Sequence, residues 1–170
     1  TDDTLVIEAG GNTMATITAT TFTINDGTTI TTADNTDTLT LISTDADANV
    51  GPVLNLYRNS SSPADDDDAG RIHFTSNDSG GNATTFATIR TVVGDVTDGT
   101  EDIQVLHQQV IAGTNVNTMR IKPDEIVLND SSIDLDFRVE SNGNTHMLFV
   151  DGGNNHVSIG GTTLEGGDVL

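Results

Sequence analysis

Ile133-Asp134-Leu135-Asp136-Phe137-Arg138-Val139-Glu140 alternates apolar and charged residues without a break. A period of two is the spacing at which successive side chains point to opposite faces of a strand, so one face of this stretch is apolar and the other ionised. Working outward, Asn142-Gly143 has the chemistry of a type I′ turn, residues 145–150 read as a second strand, and 151–155 turn the chain into a third over 156–159. On the other side Pro123 interrupts what precedes it, and 125–129 reads as a short strand. The expectation for this end is a three-strand meander.

The rest of the chain has the same texture. It contains twenty-eight Thr, with Asp, Asn, Gly and Ser behind them, and a single Lys, Lys122. Thr is β-branched and suits a pleated, half-solvated surface, while Asn, Asp and Gly suit the positive φ angles of tight turns. Only 34% of residues are apolar and 4% aromatic. That is a thin core for 170 residues, because burial at roughly 25 cal/mol per Å² must offset the ordering of every residue. Such a chain is disordered, elongated, or dependent on a core shared between copies of itself. Disorder fits poorly, since the apolar residues recur at strand spacing.

Short strands are expected at 5–9, 14–19, 22–25 and 28–32, broken at Gly10-Gly11-Asn12 and Asp26-Gly27, with a bulge or turn near Thr20-Thr21 where the apolar parity jumps. From 37 onward longer candidates follow at 39–43, 53–58, 70–76, 85–93, 103–112 and 117–122, spaced for an antiparallel sandwich. Residues 102–111 are the one stretch where a helix competes, and the parity of Ile103, Val105 and Ile111 favours a strand. The resulting division is 1–36, 37–122 and 123–170. Ile7 to Met14 also lays over Val150 to Val157 without a gap, so the two ends can repeat one strand-turn-strand unit.

Charge and composition exclude several functions. Twenty-six acidic residues against six basic ones give a net charge of −20, which repels nucleic acid and anionic membranes. High acidity favours solubility where salt screens self-repulsion, as in a saline setting. There is no Cys, hence no disulfide, thiolate nucleophile or Cys-based zinc site. No apolar run approaches the roughly 20 residues of a membrane-spanning helix. The chain opens on Thr1, and the expectation is a fragment or processed segment of a longer polypeptide.

Asp65-Asp66-Asp67-Asp68 is the sharpest charge run and the weak candidate for a hard cation such as Ca²⁺. Adjacent carboxylates do not converge unaided, and the spaced Asp-x-Asp-x-Asp-Gly loop is missing, so a solvated loop is the simpler reading. His73, His107, His146 and His156 are not spaced for metal ligation. No Gly-x-Ser-x-Gly elbow is present, and one Tyr with no Trp is a poor supply of sugar-gripping surfaces for a glycosidase. No catalytic residue and no cofactor is expected.

The stretch Gly51-Pro52-Val53-Leu54-Asn55-Leu56-Tyr57-Arg58-Asn59-Ser60-Ser61-Ser62-Pro63-Ala64-Asp65, with Gly70-Arg71-Ile72-His73-Phe74 and Asp98-Gly99-Thr100-Glu101-Asp102, resembles fibre-forming virion proteins of marine tailed bacteriophages. Asp136-Phe137-Arg138-Val139-Glu140-Ser141-Asn142-Gly143-Asn144, with Leu148-Phe149-Val150-Asp151 and Val157-Ser158-Ile159-Gly160, is similar to a second segment of such proteins. The resemblance implies an extracellular, virion-borne homotrimeric fibre, commonly a tail fibre, in contact with other virion proteins and with a host cell-surface glycan. A capsid head fibre or decoration protein is implied as a variant. In such proteins a further domain often follows the Val-x-Ile-Gly element, where this sequence has the polar stretch 161–170.

The residues lead to the same place by a separate route. Strands too apolar-poor to fold singly are stabilised when three copies bring one face to a common axis and hide their edges. Ile133, Leu135, Phe137, Val139, Met147 and Phe149 are the expected axis-facing residues, with Asp134, Asp136 and Glu140 in water. The expected fold class is all-β: elongated, intertwined trimeric β shaft segments flanking a small antiparallel β-sandwich-like domain. The alternative from another class is a secreted or surface adhesin that binds carbohydrate with Ca²⁺.

Overall fold

A computed structural model describes residues 5–9, 12–17, 21–25 and 27–161. Gly10-Gly11, the expected strand end at 18–19, Thr20, Asp26 and the stretch 162–170 lie outside the described residues. Among the described residues there are eleven strands and no helix, so the all-β expectation holds. The chain divides into two compact units, Thr1–Leu54 and Asn55–Leu170. Arg58, Arg71, Arg90, Arg120, Lys122 and Arg138, the six basic residues, all fall in the second.

The first unit holds β1 (Leu5–Ala9), β2 (Asn12–Ile17) and β3 (Phe22–Ile24), an antiparallel sheet in the order β1-β2-β3. The ladder pairs Leu5 with Ile17 and Ile7 with Ala15, then Ala15 with Ile24 and Ile17 with Phe22; a bulge falls between Ile7 and Glu8. The strands expected at 28–32 and 39–43 do not form. In the Thr-, Asp- and Asn-rich stretch between 34 and 49 short polar side chains take the backbone donors instead: Thr36 N donates to Asp34, Asp45 N to Ser43, Asp47 N to Asp45 and Asn49 N to Asp47. Each is a two-residue local bond that competes with a ladder.

The second unit holds β4 (Asp68–Asn77), β5 (Ala83–Asp95), β6 (Asp102–Ile111), β7 (Thr114–Ile121), β8 (Ile126–Leu128), β9 (Phe137–Val139), β10 (Leu148–Asp151) and β11 (His156–Ile159). β4 to β8 make one five-stranded antiparallel meander in chain order, and β9, β10 and β11 make a second, three-stranded one. The sandwich expected over 37–122 is replaced by one sheet: the four middle strands that form are joined by β8 in a single antiparallel meander. The strand expected at 53–58 makes no ladder either. Leu56 instead lies on the sheet, its Cβ 3.2 Å from where a Cβ on Gly70 would stand, so a bare backbone at position 70 lets it approach.

Paired residues of an antiparallel ladder share a face. One face of the five-stranded sheet carries the row Ile72, Ile89, His107, Met119, Leu128 and the row Thr91, Val105, Ile121, Ile126. The other carries Arg71, Arg90, Leu106, Arg120, Val127 and, beside them, His73, Thr88, Gln108, Asn117. Ala15, Val92, Leu106, Val116 and Phe149 are the only hydrophobic residues buried among those described. No described side chain is completely enclosed.

The eight-residue alternation at 133–140 becomes a strand only over Phe137–Val139. Asn129 and Ser132 adopt positive φ (61° and 51°) and turn the chain sharply. The Asn129 side-chain amide then brackets Ile133, donating Nδ2–H to its carbonyl (2.7 Å) and accepting from its N–H (3.0 Å), while Leu135 N donates to Ile133 O (2.8 Å). The expected type I′ turn at Asn142-Gly143 is also absent, since neither residue has the positive φ that such a turn requires.

Candidate functional site

The Asp65–Asp68 run does not gather its carboxylates. Asp65 Oδ1 accepts from Val96 N (3.0 Å), and Asp66, at φ 66°, donates its backbone N–H to Val93 O. Asp67 accepts from Ala64 N and pairs with Arg58 at 2.7 Å, and Asp68 sits between Arg71 and Arg90. The Arg58 hydrogen bond holds the Asp67 carboxyl below its ordinary value. For Asp68 partial burial pushes upward, but the Arg90 and Arg71 hydrogen bonds outweigh it and the carboxyl is also lowered. Each acid of the run thus serves a different part of the fold, and the run ties the start of β4 to β5.

A different set of acids meets elsewhere. Oxygens of Asp134, Asp136 and Asp151 lie within 4.8 Å of one another, the first two exposed and the third half-buried. The spacing of these residues in sequence hides this, because it arises when the 133–136 loop crosses the β10–β11 turn. The crossing is close: a Cβ on Gly152 would stand 2.6 Å from Leu135 O, and one on Gly153 the same distance from Asp134 Oδ1. Each position has a protein cause, since Asp136 Oδ1 accepts from Gly152 N (3.0 Å) and Asp151 accepts from Asn154 N (2.6 Å) and Asn154 Nδ2 (3.0 Å). The Asn154 side-chain and backbone bonds lower the Asp151 carboxyl, and nearby His156 adds to this. Neighbouring aspartates at the surface of an acidic protein are ordinary, and charge repulsion is relieved here by the donors to Asp136 and Asp151.

His73, His146 and His156 have side-chain partners. His73 Nδ1 lies 3.1 Å from Thr88 Oγ1 on the polar face, opposite Ile72 and Phe74. His146 and His156 stand edge-on to Phe149, with ring centroids 5.0 and 6.0 Å away.

What the chain does present is apolar sheet surface. In the C-terminal meander the ladder aligns Phe137, Val150 and Val157 in one row and Val139, Leu148 and Ile159 in the next, all on one face. In the N-terminal meander the rows are Leu5, Ile17, Phe22 and Ile7, Ala15, Ile24. All twelve positions are apolar; Ala15 is buried and Leu148 and Val150 are half-buried, while Phe22 (62%), Leu5 (58%), Ile159 (70%) and Val139 (45%) stand well exposed. Of the six expected axis residues, Phe137, Val139 and Met147 are exposed, and Ile133 and Leu135 are half-buried outside any strand. Phe149 is buried within its own chain and pairs with Arg138 and Ser158 on the opposite face from Phe137. Counting parity across 137–150 could not have found this, because the register is set by the wide 140–147 connection.

No helix among the described residues is long and apolar enough to cross a membrane. No protein-family model, no curated protein and no solved structure matches this chain.

Proposed function

We propose that this chain is a non-enzymatic structural segment of a virion, part of a homotrimeric bacteriophage fibre, most naturally a tail fibre, that serves as spacer or attachment element in host adsorption. The observation that carries the reading is surface left uncovered. Leu5, Phe22, Val139 and Ile159 stand 58%, 62%, 45% and 70% exposed on the apolar faces of the two meanders. Contiguous apolar faces of that kind mark contact surfaces. Identical copies are the simplest source of cover. The virion assignment rests on the fibre-like texture of residues 51–65 and 136–160.

Native mass spectrometry and light scattering of the intact chain test it. A mass near three times 17.8 kDa is the expected result. A monomer that melts cooperatively would overturn the fibre reading. Calcium titration of the same sample separates the adhesin alternative, for which a large rise in melting temperature with Ca²⁺ is expected; the fibre is indifferent to it.

A further inference from the structure

Asn142-Gly143 is the one Asn-Gly pair in the sequence, and both residues stand exposed in the connection between β9 and β10. The bonds of that connection pass them by. Ser141 N donates to Asn144 O (2.7 Å) and Asn144 N to Ser141 Oγ (3.2 Å), which ties together the residues on either side. The Asn144 side chain is itself fixed, with Nδ2 donating to Gly160 O (3.1 Å) and Oδ1 accepting from His146 N (2.8 Å). No hydrogen bond among the described residues engages the Asn142 side chain or the Gly143 N–H. Apart from its chain neighbours, no atom lies within 4 Å of where a Cβ on Gly143 would stand.

We propose that Asn142 is a self-modification site, where the chain converts its own asparagine into aspartate and isoaspartate. The Gly143 backbone nitrogen attacks the Asn142 side-chain carbon Cγ. An N–Cγ bond forms, the Cγ–Nδ2 bond breaks, and the proton given up by the Gly143 amide leaves with Nδ2 as ammonia. The product is a five-membered succinimide. Solvent water then adds to one of its two carbonyl carbons. Opening at Cγ gives aspartate in a normal backbone; opening at the main-chain carbonyl gives isoaspartate, in which the backbone runs through Cβ and Cγ and is one carbon longer. No oxidant, reductant or other reactant is needed.

The attack needs a side chain free to swing back over its own backbone, an N–H that no acceptor holds, and a following residue without a Cβ to crowd the approach. Position 142 meets all three, and the other asparagines do not. Each of them is followed by a residue that has a Cβ. Asn25, Asn49, Asn82, Asn117, Asn129 and Asn154 also hold their side-chain amides in hydrogen bonds. The site lies outside the ladder as well: the Val139–Leu148 pair and the Met147 N to Val139 O bond close the β9–β10 pairing beyond the Ser141–Asn144 tie. Either product carries a carboxylate and takes the net charge of −20 one unit further negative, beside Glu140 and its partner Arg138.

The test is to incubate the full chain at mildly alkaline pH, folded and in parallel in urea, and to follow its peptides by chromatography and mass spectrometry. The peptide that contains residue 142 is expected to gain about 1 Da and to split into two forms, of which the isoaspartyl form accepts a methyl group from protein isoaspartyl methyltransferase. In the folded chain it is expected to react first among the Asn peptides, at a rate within about threefold of that in urea, because no bond of the fold has to open. Gly143→Ala, whose methyl has room, is expected to slow the conversion about tenfold or more, since the added Cβ crowds the attacking nitrogen. Asn142→Gln is expected to abolish both forms. A folded chain that reacts more than about tenfold slower than the chain in urea would mean that the fold holds Asn142, and overturns the proposal. Earlier conversion of another asparagine overturns it too. So does a Gly143→Ala rate equal to the parent's, which would mean that water attacks the side chain directly.

Discussion

Asp68 is the one carboxylate of its run that holds two guanidiniums, and it does so at the junction of β4 and β5. Its folded-state pKa lies below the ordinary value, so its contribution is fully present above an unfolded value of ~3.9 and is lost as pH falls through the lower folded value. Asp68→Asn removes the charge without much change of shape. At pH 7 the variant is expected to melt roughly 2–4 °C below the parent. In acid below that lowered folded value, where the parent's carboxyl is itself neutral, the two melting curves are expected to converge. Circular dichroism melts at the two pH values check this, and an undiminished gap in acid would mean that Asp68 acts through shape alone. The Arg90 and Asp68 pairing spans twenty-two residues of sequence, which no local pattern reports.

At the scale of elements, β4 to β7 were legible because their Thr- and Val-rich alternation is framed by turn residues: the candidates at 70–76, 85–93, 103–112 and 117–122 all lie on observed strands. β1 and β11 fall at the predicted positions as well. What alternation cannot report is whether a neighbouring backbone arrives to pair. At 39–43 none does, and at 133–136 Asn129 stands in for one. The Asp134, Asp136 and Asp151 grouping was hidden for the same reason, since it depends on a loop crossing a turn fifteen or more residues later. That crossing gives a prediction. Gly152→Ala places a methyl 2.6 Å from the Leu135 carbonyl oxygen and is expected to cost about 1–3 kcal/mol in urea denaturation. Gly143→Ala, with no atom within 4 Å and no positive φ, is the control and is expected to be nearly neutral. Equal effects would mean that the loop yields freely.

In the proposed trimer, copies of a chain at −20 meet against their own repulsion, and apolar contact has to outweigh it. Shortening the Debye length from about 30 Å at 0.01 M salt to under 10 Å at higher salt weakens the opposition without touching the sheet faces. The melting temperature is therefore expected to rise with sodium chloride, and at fixed salt to rise with chain concentration, as mass action demands of a folded oligomer. Calorimetry across a hundredfold concentration range checks this; a flat response would place the stability inside the single chain. Composition shows the shortage of apolar residues on which the trimer proposal rests, whereas which residues share a sheet face needed the register. The division at Leu54 has one more result. With every Lys and Arg beyond it, Glu8, Asp34, Asp37, Asp45 and Asp47 have no Lys or Arg in their own unit, and every pairing of a carboxylate with a Lys or Arg among the described residues lies in the other. Acid that dissolves the Asp67 and Asp68 pairs removes from one half of the polypeptide ties that the other half never had.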